Sequence, residues 1–308
     1  MSRRRSVGPL CLEQTGTESK ASTATEPQNV MYTQQLPQPP APVLQKPIVR
    51  LALKILTQLK PLAAQPHIAP ENWNKFRITC NELDLSWKSE YGGSFLRLIT
   101  HEKMQQFATQ YGFDHIQDLR PGGPDPRHPF SNSDKVASNL NDYLFSVNQD
   151  DFPSGRSRWK FHRPDDSEAS QLRYFPNDEM WQVDYILTVK DGRMPHVNCT
   201  LIEAGKLKED TLMFSEVWSI LMLTLNFFRQ AQNVKHELVP VTIVTISGMT
   251  FRIVQGCIDG KTNSVKIKKS SIVPLGPDKK TVKERMMLIV RWLLAEPVLP
   301  LPPKVAGK

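Results

Sequence analysis

The chain has 308 residues, of which 39% are hydrophobic and 25 are prolines, and it carries a net charge of +8. That length suffices for one large domain or two small ones, and the low apolar share with many prolines points to a folded part with disordered ends. The positive charge favours DNA, RNA or another anionic partner. The four cysteines, Cys11, Cys80, Cys199 and Cys257, lie far apart, with no C-x-x-C and no Cys/His cluster. This speaks against a zinc or disulfide framework and fits a reducing, intracellular compartment, nucleus or cytoplasm. The N-terminal MSRRRSVGPLCLEQ has arginines but no apolar core of signal-peptide length. No Walker loop, G-x-G-x-x-G or G-x-S-x-G is present, and the seven histidines show no metal-binding spacing. These absences disfavour a kinase, a nicotinamide enzyme and a serine or cysteine hydrolase.

In chain order, residues 1–46 are rich in Ser, Thr, Gln and Pro and read as a disordered arm. Pro47 can open a helix. Ile48, Ala52, Ile55, Leu56 and Leu59 recur at helical spacing behind it. Residues 47–130 read as a helical extension, with further helices over 71–83 and 100–112. The Pro/Gly run 120–130 closes it as a boundary. The rest, 131–296, reads as one domain, with a disordered tail at 297–308.

Within that domain Ser133 or Asp134 caps a helix running to Val147. Residues 157–163 and 172–175 are strand candidates. WQVDYILTV, 181–189, and VNCTLIEA, 197–204, are strands with apolar residues on both faces, as in a sheet covered on two sides. The apolar run beginning at Asp210 or Thr211 and extending to 232 carries Ser215, Glu216, Ser219 and Asn226. It is a buried helix rather than a membrane span. A hairpin over 239–258 turns at Gly248, and Thr281-Val-Lys-Glu284 is a capping box for a last helix to Ala295.

If 191–196 is the turn between the two central strands, Lys190 faces Val197, and counting outward sets Asp184 opposite Glu203. Residues directly opposite in an antiparallel pair share a face with Cβ atoms about 5 Å apart. Two carboxylates so placed need a cation between them, either a divalent metal or a lysine such as Lys206.

The order from 133 onward is helix, three strands, long helix, two strands, with acids on the second and third strands and a lysine after the second acid. With these residues the chain resembles the PD-(D/E)XK nuclease-like superfamily over about residues 133–258. The resemblance implies an α/β fold with a mixed central sheet flanked by helices, as in restriction endonucleases. It also implies metal-dependent phosphodiester hydrolysis of DNA or RNA. Asp184 and Glu203 would hold Mg²⁺, whose hard-cation preference suits carboxylates. Lys206 would assist the nucleophile. Asp134 and Asp142 on the preceding helix are candidates for an extra acid. Val183 stands where the motif often has proline. Glu203-Ala-Gly-Lys206 is one residue longer than E-x-K, so either a bulge at Gly205 restores the facing or Lys206 has left the site.

Lysines crowd residues 261–283. Lys266, Lys268 and Lys269, with Arg158 and Lys160, are candidates for a phosphate-contacting surface. Two further readings stand beside the enzyme. One is a catalytically degenerate nuclease-fold module that binds nucleic acid or protein; the other is a scaffold acting through its proline-rich arms.

Overall fold

A computed structural model describes residues 40–110, 129–149, 158–174, 180–190 and 192–298. Its N-terminal part holds α1 (Ala41–Leu44), α2 (Pro47–Leu59), β1 (His67–Ile68), β2 (Ile78–Glu82), β3 (Tyr91–Gly92), β4 (Leu96–Arg97) and α3 (His101–Gln110). There follow α4 (Pro129–Gln149), β5 (Trp159–His162), α5 (Asp166–Ala169), β6 (Arg173–Tyr174), β7 (Trp181–Val189) and β8 (Val197–Glu203). The C-terminal part holds β9 (Leu212–Met213), α6 (Phe214–Arg229), β10 (Val241–Ser247), β11 (Thr250–Asp259), β12 (Ser264–Lys269), β13 (Val273–Pro274), α7 (Lys279–Leu293) and β14 (Glu296–Pro297).

The central sheet runs β2-β12-β11-β10-β8-β7-β5. β5, β7 and β8 form an antiparallel meander. β10 then lies parallel to β8, and α6 serves as the crossover that a parallel pair requires. β11 returns antiparallel through a two-residue turn at Gly248, whose φ of 56° suits glycine. The sheet is therefore mixed and flanked by helices. One face carries a core of α2 and α6 side chains, including Leu56, Leu59, Leu221 and Phe228. The other face carries α3, α4 and α7, with Phe107, Leu140, Met286 and Trp292 at its centre. Close approach on the first face needs Gly256 on β11, because a Cβ there would sit 2.5 Å from Cδ1 of Ile220.

The N-terminal part belongs to this same body. β2 extends the sheet beside β12 in parallel register, Ile78 against Val265, and α2 lies on α6 in one continuous core. The Pro/Gly run therefore does not separate a helical extension from a second domain; most of it, 111–128, lies outside the described residues. The helix expected over 71–83 is instead two 3₁₀ turns and a strand. Arg77 takes a left-handed conformation, φ 56°, that stops helical winding, and the β-branched Ile78 and Thr79 continue as strand. Of the expected N-terminal arm, residues 40–46 hold α1 with Val43 buried, and residues 1–39 lie outside the described part.

Two helix starts also differ from expectation. α6 begins at Phe214 rather than at Asp210 or Thr211, and Glu216 Oε2 accepts the Met213 N–H at 2.9 Å. α7 begins at Lys279 because Asp278, not Thr281, is the cap: its carboxylate accepts from the backbone N–H and the hydroxyl of Thr281.

Candidate functional site

The two acids sit on adjacent strands, β7 and β8, as the spans required, but not in the expected register. Thr188, not Lys190, faces Val197, and Trp181, not Asp184, faces Glu203. The connection is two residues longer than expected, with 189–196 rather than 191–196 between the last paired residues, and a bulge between Val183 and Tyr185 shifts the register by a third. A two-residue slip leaves every side chain on its face, but the extra bulge residue switches faces. Trp181 and Val183 belong to the α6 core, whereas Leu187 belongs to the α4/α7 core.

Asp184 is the bulge residue. It is turned toward α4, where Asn141 Nδ2 donates to its Oδ2. Burial raises its pKa above the usual carboxylate range; the Asn141 bond and the Arg163 guanidinium act against this, and nearby Asp134 adds to it. Arg163 is engaged with Tyr185, its Nε donating to the phenol oxygen at 2.7 Å and its charge lying 5.0 Å from the ring centre. Of the two candidates for an extra acid, Asp134 is exposed, and the side chain of Asp142 lies outside the described residues.

Glu203 lies on the opposite face, in line with Cys199 and Leu201, and is only 2% exposed. Ser215 on α6 donates its hydroxyl to Oε2 at 2.5 Å, and the Gly205 N–H reaches Oε1 at 3.2 Å. The strand ends at Glu203. Gly205 therefore makes no bulge in the ladder; it turns the chain, and its carbonyl accepts from Ser247. Lys206 follows as an exposed residue. Asp184 and Glu203 are thus brought onto neighbouring strands but not together. They point to opposite faces and are offset by three residues, roughly 10 Å along the strand. A shared Mg²⁺ would need bonds of about 2.1 Å to both. Among the described residues no group of three or more His, Cys, Asp or Glu is placed to hold a metal ion.

The basic residues divide likewise. Lys266 pairs with Asp259 at 2.7 Å, Lys268 reaches the Ser94 hydroxyl at 3.4 Å, and Lys269 donates to the Glu209 carbonyl. β12 is an interior strand, covered on its outer side by β2. Arg158, just before β5, pairs with Glu296 at 3.1 Å, and Lys160 on β5 is exposed. β12 and β5 are five strand steps apart, roughly 24 Å at the usual spacing. The two groups do not form one patch.

The most strongly held charges were not expected as a pair. Glu216 on α6 and Arg252 on β11 have fully buried side chains. Arg252 Nε donates to Oε1 at 2.7 Å and Nη2 to Oε2 at 2.5 Å, a two-point contact suited to the guanidinium fork. Its Nη1 reaches the carbonyls of Lys208 and Thr211, and Thr245 donates to Glu216. The network holds the β8–α6 loop against the sheet. One signal in the sequence could have found it: a lone arginine in a β-branched strand and a lone glutamate in an apolar helix each need a buried partner.

β1 completes this end of the molecule. It pairs with β9 at the entry to α6, and the Thr211 hydroxyl contacts His67 Nδ1 at 3.2 Å. The N-terminal segment therefore roofs the loop that carries Gly205 and Lys206. No helix among the described residues is long and apolar enough to cross a membrane. Compared with known proteins, the chain matches no family model, no curated protein and no solved structure.

Proposed function

We propose that the chain is a non-catalytic nucleic-acid-binding module built on a nuclease-like, restriction-endonuclease-type arrangement of helix, three-stranded meander, crossover helix and parallel strand. The observation that carries this reading is the placement of Asp184 and Glu203 on opposite faces, each held by neutral donors, Asn141 for one and Ser215 with the Gly205 N–H for the other. A carboxylate satisfied in this way has little to gain from a metal, and the exposed Lys206 has no shared reaction centre to serve. The net charge of +8 supports a polyanionic partner.

The test uses the full chain with labelled single- and double-stranded DNA and RNA. The expected result is binding at low salt that weakens linearly on a logarithmic salt scale. No cleavage should occur with Mg²⁺ or Mn²⁺, and affinity should be unchanged in Asp184→Ala and Glu203→Gln. Metal-dependent cleavage abolished by both substitutions would replace this reading with the enzyme, Asp184 and Glu203 as ligands and Lys206 as helper. Absence of any binding at low salt would leave the scaffold.

A further inference from the structure

The parallel strands β8 and β10 end side by side, Glu203 against Ser247. In α/β sheets the crevice beyond the carboxyl ends of such strands is where ligands enter. Here that crevice is roofed by β1 and the residues leading into it. Pro66 lies over Gly205: a Cβ on the glycine would sit 3.7 Å from the proline Cβ and 3.3 Å from Glu203 Oε1. The Pro66 carbonyl accepts the Phe214 N–H at 2.8 Å, in the first turn of α6. Glu203 and Ser215, bonded to each other, are buried at this end of the sheet.

The roof is thin. β1 and β9 form a sheet of their own, two residues on each side, with His67 against Met213 and Ile68 against Leu212. Ala64 and Gln65, which lead into it, are exposed. Ile68 is buried, and its carbonyl accepts from Trp73 Nε1 at 3.2 Å. Short segments on the outside of a fold open locally, without global unfolding. The side-chain tie between β1 and the entry to α6 is His67 Nδ1 with the Thr211 hydroxyl, at 3.2 Å.

That tie suits a neutral ring. With its proton on Nε2, the imidazole accepts the Thr211 hydroxyl at Nδ1; a protonated ring donates at both nitrogens, and the hydroxyl must turn round. The half-buried position also disfavours the charge. Burial is the largest cause that lowers the His67 pKa; Lys208 and Arg252 add to it, and Glu216 and Asp210 act against it. Arg252 and Glu216 pair with each other. Lys208 and Asp210, of opposite sign, are exposed on the β8–α6 loop. When β1 lifts, the ring returns to water and to its ordinary value, about 6.5. The open form therefore takes up the proton first, and acid favours opening.

We propose that β1 is a pH-operated latch: neutral His67 holds it over the carboxyl-end crevice, and protonation of the ring releases it, baring the Glu203–Ser215 pair and the Phe214 N–H. The inference goes beyond the binding-module reading and does not depend on it.

The experiment follows amide hydrogen exchange in the full chain by NMR from about pH 7.5 to about pH 5, across the histidine range, with rates corrected for the intrinsic pH dependence of exchange. Protection at Phe214 should fall as pH drops below about 6.5, by up to about tenfold per pH unit for one proton, while the amides of β10 keep theirs. His67→Gln retains an acceptor for Thr211 and does not titrate, so its Phe214 protection should stay level. Should His67→Gln fail to fold, the loop charges decide. Lys208→Gln should make the fall shallower and Asp210→Asn steeper, opposite shifts that a purely structural role for His67 would not produce. The inference is overturned if Phe214 protection in the wild type is level across the range, if β10 loses protection together with Phe214, or if the fall persists in His67→Gln. Where the loop variants decide, it is overturned if they leave the fall unchanged or move it the same way.

Discussion

Asp184 shows what one inserted residue does. Its burial makes the folded chain hold a proton there more tightly than the unfolded chain does. The associated stability is fully present below the unfolded carboxylate pKa, about 3.9. It is lost as pH rises through the raised folded value, so at neutral pH the ionised group carries its desolvation cost. Asp184→Asn keeps an acceptor for Asn141 and removes the charge. Its urea midpoint should exceed the wild-type value at neutral pH, with the gain shrinking as pH falls toward the carboxylate range. A midpoint that drops at neutral pH would show that the charge is held by something cationic and would revive Asp184 as a ligand. The sequence could not reveal this arrangement. Trp181, Val183, Leu187 and Val189 read as one odd-numbered stripe, yet the bulge sends the first two and Leu187 to opposite cores. Because both faces of the sheet are apolar, the switch changes no residue type and leaves no mark in the pattern.

At the scale of elements, the spans of α2, α3, β7, β8 and the hairpin β10–β11 were legible, since each is a local periodicity bounded by turn chemistry. Their partners were not, because pairing between distant segments has no local signature. α2 looked like part of an appendage and is instead a wall of the α6 core. Six of its branched side chains, Ile48, Val49, Leu51, Ile55, Leu56 and Leu59, are buried. At about 1.5–3 kcal/mol each, their loss is comparable to the about 5–15 kcal/mol by which a folded domain is stable. A fragment of residues 131–296, the domain suggested by the sequence, should therefore not unfold cooperatively in urea and should bind a hydrophobic dye. A sharp transition from that fragment would mean that the C-terminal part folds unaided and that α2 and β2 are additions to it.

For the molecule as a whole, the histidines set the response to acid. Burial pushes His196 down to about 4, against the Phe95 carbonyl, which its Nε2–H meets at 3.0 Å. Burial also lowers His67, His162 and His236. A lowered histidine means that the unfolded chain takes up protons first. Stability should hold above the unfolded value, about 6.5, and fall as pH drops from there toward 4. His196→Gln, which retains a donor for Phe95, should flatten that fall when urea midpoints are compared across the window. An unchanged slope would place the acid sensitivity elsewhere.

The parallel pairing of β2 with β12 has a consequence for how the chain comes to be made. Ile78 emerges from the ribosome long before its partner Val265, a wait of roughly 10–40 s at about 5–20 residues per second. Arg291, which donates to the carbonyls of Ser86, Trp87, Ser89 and Ile99, arrives later still. The sheet therefore closes only after β12 has been made, and contacts so distant in sequence form slowly. Until then the apolar side of α2 has no α6 to meet, and the nascent chain is a natural client for a holding chaperone.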